Sequence, residues 1–173
     1  MEKTLSSETI YKGKILEMRV DCVSLPSGET SIREFVLHPG AVSVLPFLGD
    51  GRVVMVRQFR YPVGESLLEI PAGRLEPGED PEETVRREMI EEIGYRAGEL
   101  KHVSTFYTTP GYTNEVMHLF FAFELEKMEA QPEQDEILKI ETMSLEDSLE
   151  RIQKGEIKDG KTIAALALAT LLR

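Results

Sequence analysis

Apolar and polar positions along the chain change period several times, and each change marks an element. Residues 10–38 read as strands, with segments 15–25 and 30–38 joined by Pro26-Ser27-Gly28-Glu29, a hairpin turn by composition. A β unit this small buries little on its own. It needs a surface to cover, either the rest of the chain or a second copy. Residues 41–48 form a near-continuous apolar run, as in a strand covered on both faces. Gly49-Asp50-Gly51 turns it into a partner strand at 52–59. Further strands are expected at 100–107, at the Phe-rich 115–125, and at 136–143, with Thr108-Thr109-Pro110-Gly111-Tyr112 as a turn. Ser144 caps a helix that runs to Gly155, and residues 161–172 are apolar on most sides, as in a buried helix. Strands on both sides of a central helix, with helices at the end, predict an α/β class sandwich.

That central helix lies in the stretch GRLEPGEDPEETVRREMIEEIGY, residues 73–95. Asp80 is placed to N-cap it, Pro81 to occupy its first position, and Glu83 to complete a capping box. Gly94 supplies the left-handed residue that ends it. Val85, Met89 and Ile93 recur every fourth position and make one apolar stripe. The other face is largely carboxylate. Glu82 and Glu83 suit the positive end of the helix dipole, whereas Glu91 and Glu92 stand where Lys or Arg would be favoured. Glu88 and Glu92, four apart, are expected to repel by about 0.2–0.5 kcal/mol. Carboxylates gathered against their own electrostatics beside a glycine-bearing loop suit a hard divalent cation, which takes oxygen ligands.

Gly73, Glu79, Arg87, Glu88, Met89, Glu91, Glu92 and Gly94 also fit a spaced pattern, G-x5-E-x7-REUxEExGU with U bulky and apolar. The stretch resembles the Nudix box of hydrolases acting on nucleoside diphosphates linked to another moiety. Tyr95 departs from the aliphatic residue usual at the last position. Three further stretches, 33–44 (REFVLHPGAVSV), 58–73 (QFRYPVGESLLEIPAG) and 108–115 (TTPGYTNE), resemble the ADP-ribose pyrophosphatase branch. Pro110, fifteen residues beyond Tyr95, sits where that branch carries a proline.

The resemblance implies an α/β/α sandwich with a mixed sheet over residues 41–173. It also implies a homodimer through an N-terminal β unit of residues 1–40. The implied activity is hydrolysis of ADP-ribose to AMP and ribose 5-phosphate, with another nucleoside diphosphate sugar, or a non-hydrolytic nucleotide-sensing domain, as alternatives. Metal ligands carried over are Glu88, Glu91, Glu92 and the carbonyl of Ala72, for two or three ions of Mg²⁺ or Mn²⁺. Glu79 and Arg87 are counted with the catalytic residues, Arg87 to orient Glu79 and the glutamates. Glu136 is the expected general base, with Glu133 and Glu91 as the other candidates. Arg33, Arg57, Arg60, Glu69, Pro110 and Gly111 are the expected substrate contacts.

Composition narrows the partners. A net charge of −11 argues against nucleic acid and anionic membrane. It would also repel a phosphate-bearing substrate, so bound cations and a few arginines must reverse the field locally. Arg57 and Arg60, at the end of an emerging strand, are the arginines best placed for phosphate or ribose contact. A single cysteine, Cys22, fits a reducing compartment. With no apolar leader in MEKTLSSETI, a cytoplasmic location is expected. His38, His102 and His118 have no metal-ligand spacing.

Overall fold

A computed structural model of the chain describes residues 1–129 and 138–172. Chain contacts divide it into two compact units, residues 1–40 with 107–116, and residues 41–106 with 117–173.

The first unit is an antiparallel sheet of β1 (Lys3–Lys12), β2 (Glu17–Ser24) and β3 (Thr30–Leu37), in that order. The 26–29 hairpin closes as its composition predicts: Leu25 N–H donates to Glu29 O at 2.8 Å, and Gly28 takes φ 89°. Strand β1 begins seven residues earlier than the apolar pattern suggested. All ten of its residues are exposed, so no apolar face announces it. Backbone pairing with β2 alone defines it. Residues 107–116 join this unit through backbone bonds: Val36 N–H to Tyr112 O at 2.8 Å and Asn114 N–H to Val36 O at 3.3 Å. The Asn114 side chain adds another, accepting from His38 N–H at 2.8 Å.

The second unit is an α/β sandwich built on two sheets. In chain order its strands are β4 (Ala41–Pro46), β5 (Val53–Arg60), β6 (Glu65–Glu69), β7 (Ala72–Arg74), β8 (Tyr95–Tyr107, whose last residue falls in the first unit), β9 (Val116–Lys127, whose first does) and β10 (Lys139–Met143). One sheet is β7-β4-β9-β8, mixed because β4 runs parallel to β9 and antiparallel to β7. The other is antiparallel, β10-β5-β6. The helices are α1 (Pro81–Glu88), α2 (Leu145–Gln153) and α3 (Gly160–Leu171).

The apolar runs of β4 and β5 bury both faces, as expected of covered strands. Val42, Val44, Val54 and Val56 pack with Val85, Met89 and Ile93 on the α1 side. Leu45, Val53 and Met55 pack with Leu145, Ile157, Ala165 and Leu166 on the side of α2 and α3. Between the two sheets the chain passes through Ile70 and Pro71, and that crossing lies directly before the box. Among the described residues no helix is long and apolar enough to cross a membrane.

Candidate active site

Asp80 caps α1 from an extended conformation, its Oδ1 accepting from Glu82 N–H at 2.8 Å and Glu83 N–H at 3.4 Å. Val85, Met89 and Ile93 are buried, so the stripe they form fixes the rotation of the helix about its axis. The helix does not run to Gly94 as a uniform α-helix. It widens at Met89 into a π turn, Met89–Ile93, which Gly94 ends at φ 66°. Such wide turns gather at functional sites. Here the turn carries Glu91 and Glu92.

Glu92 is 5% exposed, and its Oε2 accepts the Ala72 N–H at 3.1 Å. The carboxylate is thereby held at Ala72, the residue whose carbonyl the resemblance implies as a ligand. Gly73 explains how Glu88 joins them. A Cβ on Gly73 would stand 2.0 Å from Glu88 Cδ, so only glycine leaves room for that carboxyl against the backbone.

The charge gathered at Glu88 and Glu91 is met by Arg87, next to the first and four residues before the second. Arg87 Nη1 donates to Glu88 Oε1 and to Glu91 Oε2, each at 2.8 Å, and its Nε donates to Glu79 Oε1 at 3.2 Å. Burial alone would lower the Arg87 pKa. The hydrogen bond with Glu79 and the charges of Glu88 and Glu91 outweigh that and raise it. The same hydrogen bond holds the Glu79 carboxyl below the usual range. One guanidinium therefore ties the loop glutamate to two glutamates of the helix. As arranged, no three acidic, imidazole or thiolate groups among the described residues form a cation cage. The donor chemistry nonetheless suits a hard divalent ion: carboxylate oxygens, a neighbouring carbonyl, and a glycine that clears the approach.

The remaining expected contacts separate by unit. Arg57 on β5 donates from Nε to Glu141 Oε1 on β10 at 2.8 Å. Arg60 makes a two-pronged pair with Glu69, Nε to Oε1 and Nη2 to Oε2, both at 2.8 Å. Each pair uses only part of the guanidinium's five N–H groups. Arg33, Pro110 and Gly111 belong to the first unit, where Arg33 pairs with Glu2 and donates to Ser31 Oγ at 2.9 Å. Glu136 and Glu133 lie outside the described residues.

Sequence reasoning missed a cluster at the start of α3. Lys161 Nζ reaches Glu69 Oε2 and, at 3.1 Å, Asp159 Oδ2. Thr162 Oγ1 accepts from Ile70 N–H at 2.9 Å. A signal was available, because a lysine in the first turn of a helix opposes the dipole and calls for a fixed anionic partner.

Comparison with known proteins finds the NUDIX domain family over residues 37–166 and the nucleoside diphosphate sugar hydrolase N-terminal domain over residues 2–36. An ADP-ribose pyrophosphatase of Bacillus subtilis (strain 168) is 44% identical over 95% of this chain and 90% of its own length. A methanol dehydrogenase activator of Bacillus methanolicus is 42% identical over the same shares. Among solved structures, an ADP compounds hydrolase superposes with a TM-score of 0.89, covering 99% of this chain and 93% of its own. At 20% identity that likeness speaks for the fold alone.

Proposed function

Because this chain belongs to the NUDIX domain family, we propose that it hydrolyses the pyrophosphate of ADP-ribose, adding water to give AMP and ribose 5-phosphate. The observation that carries the reading is the set of glutamates on and beside the π turn, packed against the backbone at Ala72 and Gly73. The relative that shares 44% of its residues and bears the same activity in its name supports the choice of substrate. Family members work with a divalent metal such as Mg²⁺. For this chain we assign Glu88, Glu91, Glu92 and the Ala72 carbonyl as its holders, with two or three ions and Mg²⁺ or Mn²⁺ as the species. When bound, such ions neutralise the pyrophosphate charge and lower the pKa of a coordinated water.

The chain's own residues supply the rest. Arg87, anchored by Glu79, keeps Glu88 and Glu91 in place. Arg57 and Arg60 offer phosphate or ribose the N–H groups that Glu141 and Glu69 leave open. Glu136 takes the proton of the attacking water, with Glu133 and Glu91 as the alternative bases. Arg33, Pro110 and Gly111 complete the substrate contacts. We further propose a cytoplasmic homodimer that associates through residues 1–40, and the large apolar side chains exposed there support it.

A second reading keeps the chemistry and changes the sugar or base, as the broader description of the 2–36 match allows. A panel of ADP-ribose and other nucleoside diphosphate sugars, incubated with Mg²⁺ and resolved by mass spectrometry, separates the two. AMP and ribose 5-phosphate released fastest from ADP-ribose is the expected outcome. Faster release from a guanosine or uridine diphosphate sugar would favour the second reading, and no release from any substrate would defeat both.

A further inference from the structure

The segment that leads into Ala72 is held at three successive residues. Ile70 N–H donates to Thr162 Oγ1 at 2.9 Å. Pro71, which has no N–H, accepts from Val44 N–H at 3.0 Å. Ala72 N–H donates to Glu92 Oε2 at 3.1 Å. The β4 bond is ordinary strand pairing and the Glu92 bond belongs to the site. The contact from α3 is neither, and it comes from a turn with an unusual charge arrangement.

In that turn Asp159 Oδ2 caps α3 by accepting from Thr162 N–H at 3.0 Å. It also accepts the Thr162 hydroxyl proton at 2.5 Å. With its one proton committed to Asp159, the Thr162 oxygen is left to accept from Ile70, so the hydroxyl is oriented. Lys161 spans Asp159 and Glu69. Glu69 is 1% exposed and accepts from Arg60 at both oxygens, sharing Oε2 with Lys161. Burial by itself would raise the Glu69 carboxyl, but the bonds from Arg60 and the charge of Lys161 outweigh it and hold it low. Two cations and two carboxylates thus form a network around the buried Glu69, in which Arg60 stays partly exposed and Ile70 is pinned. A lysine placed against the helix dipole, its side chain 11% exposed and paired with the buried Glu69, is hard to account for as a surface charge.

We propose that the first turn of α3 is a positioning device for the site, in which Thr162 and Lys161 fix Ile70 and Glu69 and thereby set the Ala72 carbonyl and the Arg60 guanidinium. The assignment of Ala72 as a metal holder is taken from the function proposed above. Partners hydrogen-bonded to a metal ligand typically change affinity by about 10- to 100-fold when lost; Thr162 and Lys161 act one step further out, through Ile70 and Glu69, and belong at the low end of that range.

The test measures Mn²⁺ affinity of the substrate-free, full-length protein by the paramagnetic signal of unbound ion, with unfolding midpoints recorded in parallel. Thr162→Val and Lys161→Met should each weaken binding by about 10-fold. Thr162→Ser, which keeps the hydroxyl, should stay near wild type. Ser148→Ala removes a buried hydroxyl bonded to Leu145 O inside α2. It should lower the midpoint and leave Mn²⁺ affinity alone. Wild-type affinity in Thr162→Val and Lys161→Met below their midpoints would overturn the proposal, as would an equal loss in Ser148→Ala. If Thr162→Val does not fold, Lys161→Met decides alone. ADP-ribose turnover by the wild type is read separately. Turnover with unaffected variants defeats only the positioning role, whereas Mn²⁺ binding that responds to the variants without turnover defeats only the substrate reading.

Discussion

At the residue scale the site depends on what Gly73 lacks. Its φ does not demand glycine, but the space does, because Glu88 Cδ occupies the place of a Cβ. The contact would involve the carboxyl end of Glu88, which can move, so the fold should survive a methyl group while the carboxylate is displaced. We therefore predict that Gly73→Ala folds with a midpoint near wild type and loses about 10²-fold or more in kcat, the scale of a misplaced electrostatic element. Comparing its kcat with its thermal midpoint checks this. Full activity would show that Glu88 need not lie against the backbone.

The same scale shows why part of the site could be read from sequence and part could not. Glu79, Arg87, Glu88, Glu91 and Glu92 lie within fourteen residues, and local spacing brings them together. Lys161 meets Glu69 across 92 positions, and Asn114 meets His38 across 76. No local pattern encodes such pairings. Only the anomaly of a lysine at a helix start hinted at the first.

At the scale of elements, caps and stripes carried most of the information. Asp80, Pro81 and Gly94 bound the box helix as their chemistry requires, and Val85, Met89 and Ile93 pack where the four-residue spacing put them. The widening to a π turn had no local signature, since MIEEI is an ordinary helical sequence. What accompanies it is a distant contact, the Ala72 N–H donated to Glu92 within the turn. Strand β1 was hidden for the opposite reason, being held by its ladder with no buried face.

Asp80 allows the role of this element to be measured. Asp80→Ala removes the acceptor for two N–H groups, and a lost N-cap costs about 0.5–2 kcal/mol. Since α1 is anchored by its apolar stripe, urea unfolding should register that loss while ADP-ribose turnover at 25 °C changes less than about 3-fold. A loss of activity as large as that from a metal-site variant would mean that the N-terminal end of α1 contributes to the site directly.

At the scale of the whole molecule, charge and exposure point in different directions. A net charge of −11 opposes self-association. Yet the first unit exposes Leu5, Ile10, Tyr11 and Ile32, each more than half accessible. Exposed apolar side chains on a three-stranded sheet are the kind of surface that a partner covers, and the dimer proposed above would bury them. The account predicts the mass of two chains by light scattering, and a shift toward one chain in Ile32→Glu. A single-chain mass for the intact protein at micromolar concentration would remove the dimer from the proposal.

The central claim is that glutamates on and beside the π turn gather divalent cations for pyrophosphate hydrolysis, and it is tested most directly by titrating ADP-ribose turnover with Mg²⁺. In the wild type, AMP release should vanish under chelation and rise to saturation as Mg²⁺ is restored. In Glu92→Gln it should stay about 10² to 10⁴-fold lower even at saturating Mg²⁺. Turnover that persists without divalent metal, or Glu92→Gln activity equal to wild type at every Mg²⁺ concentration, would contradict the account.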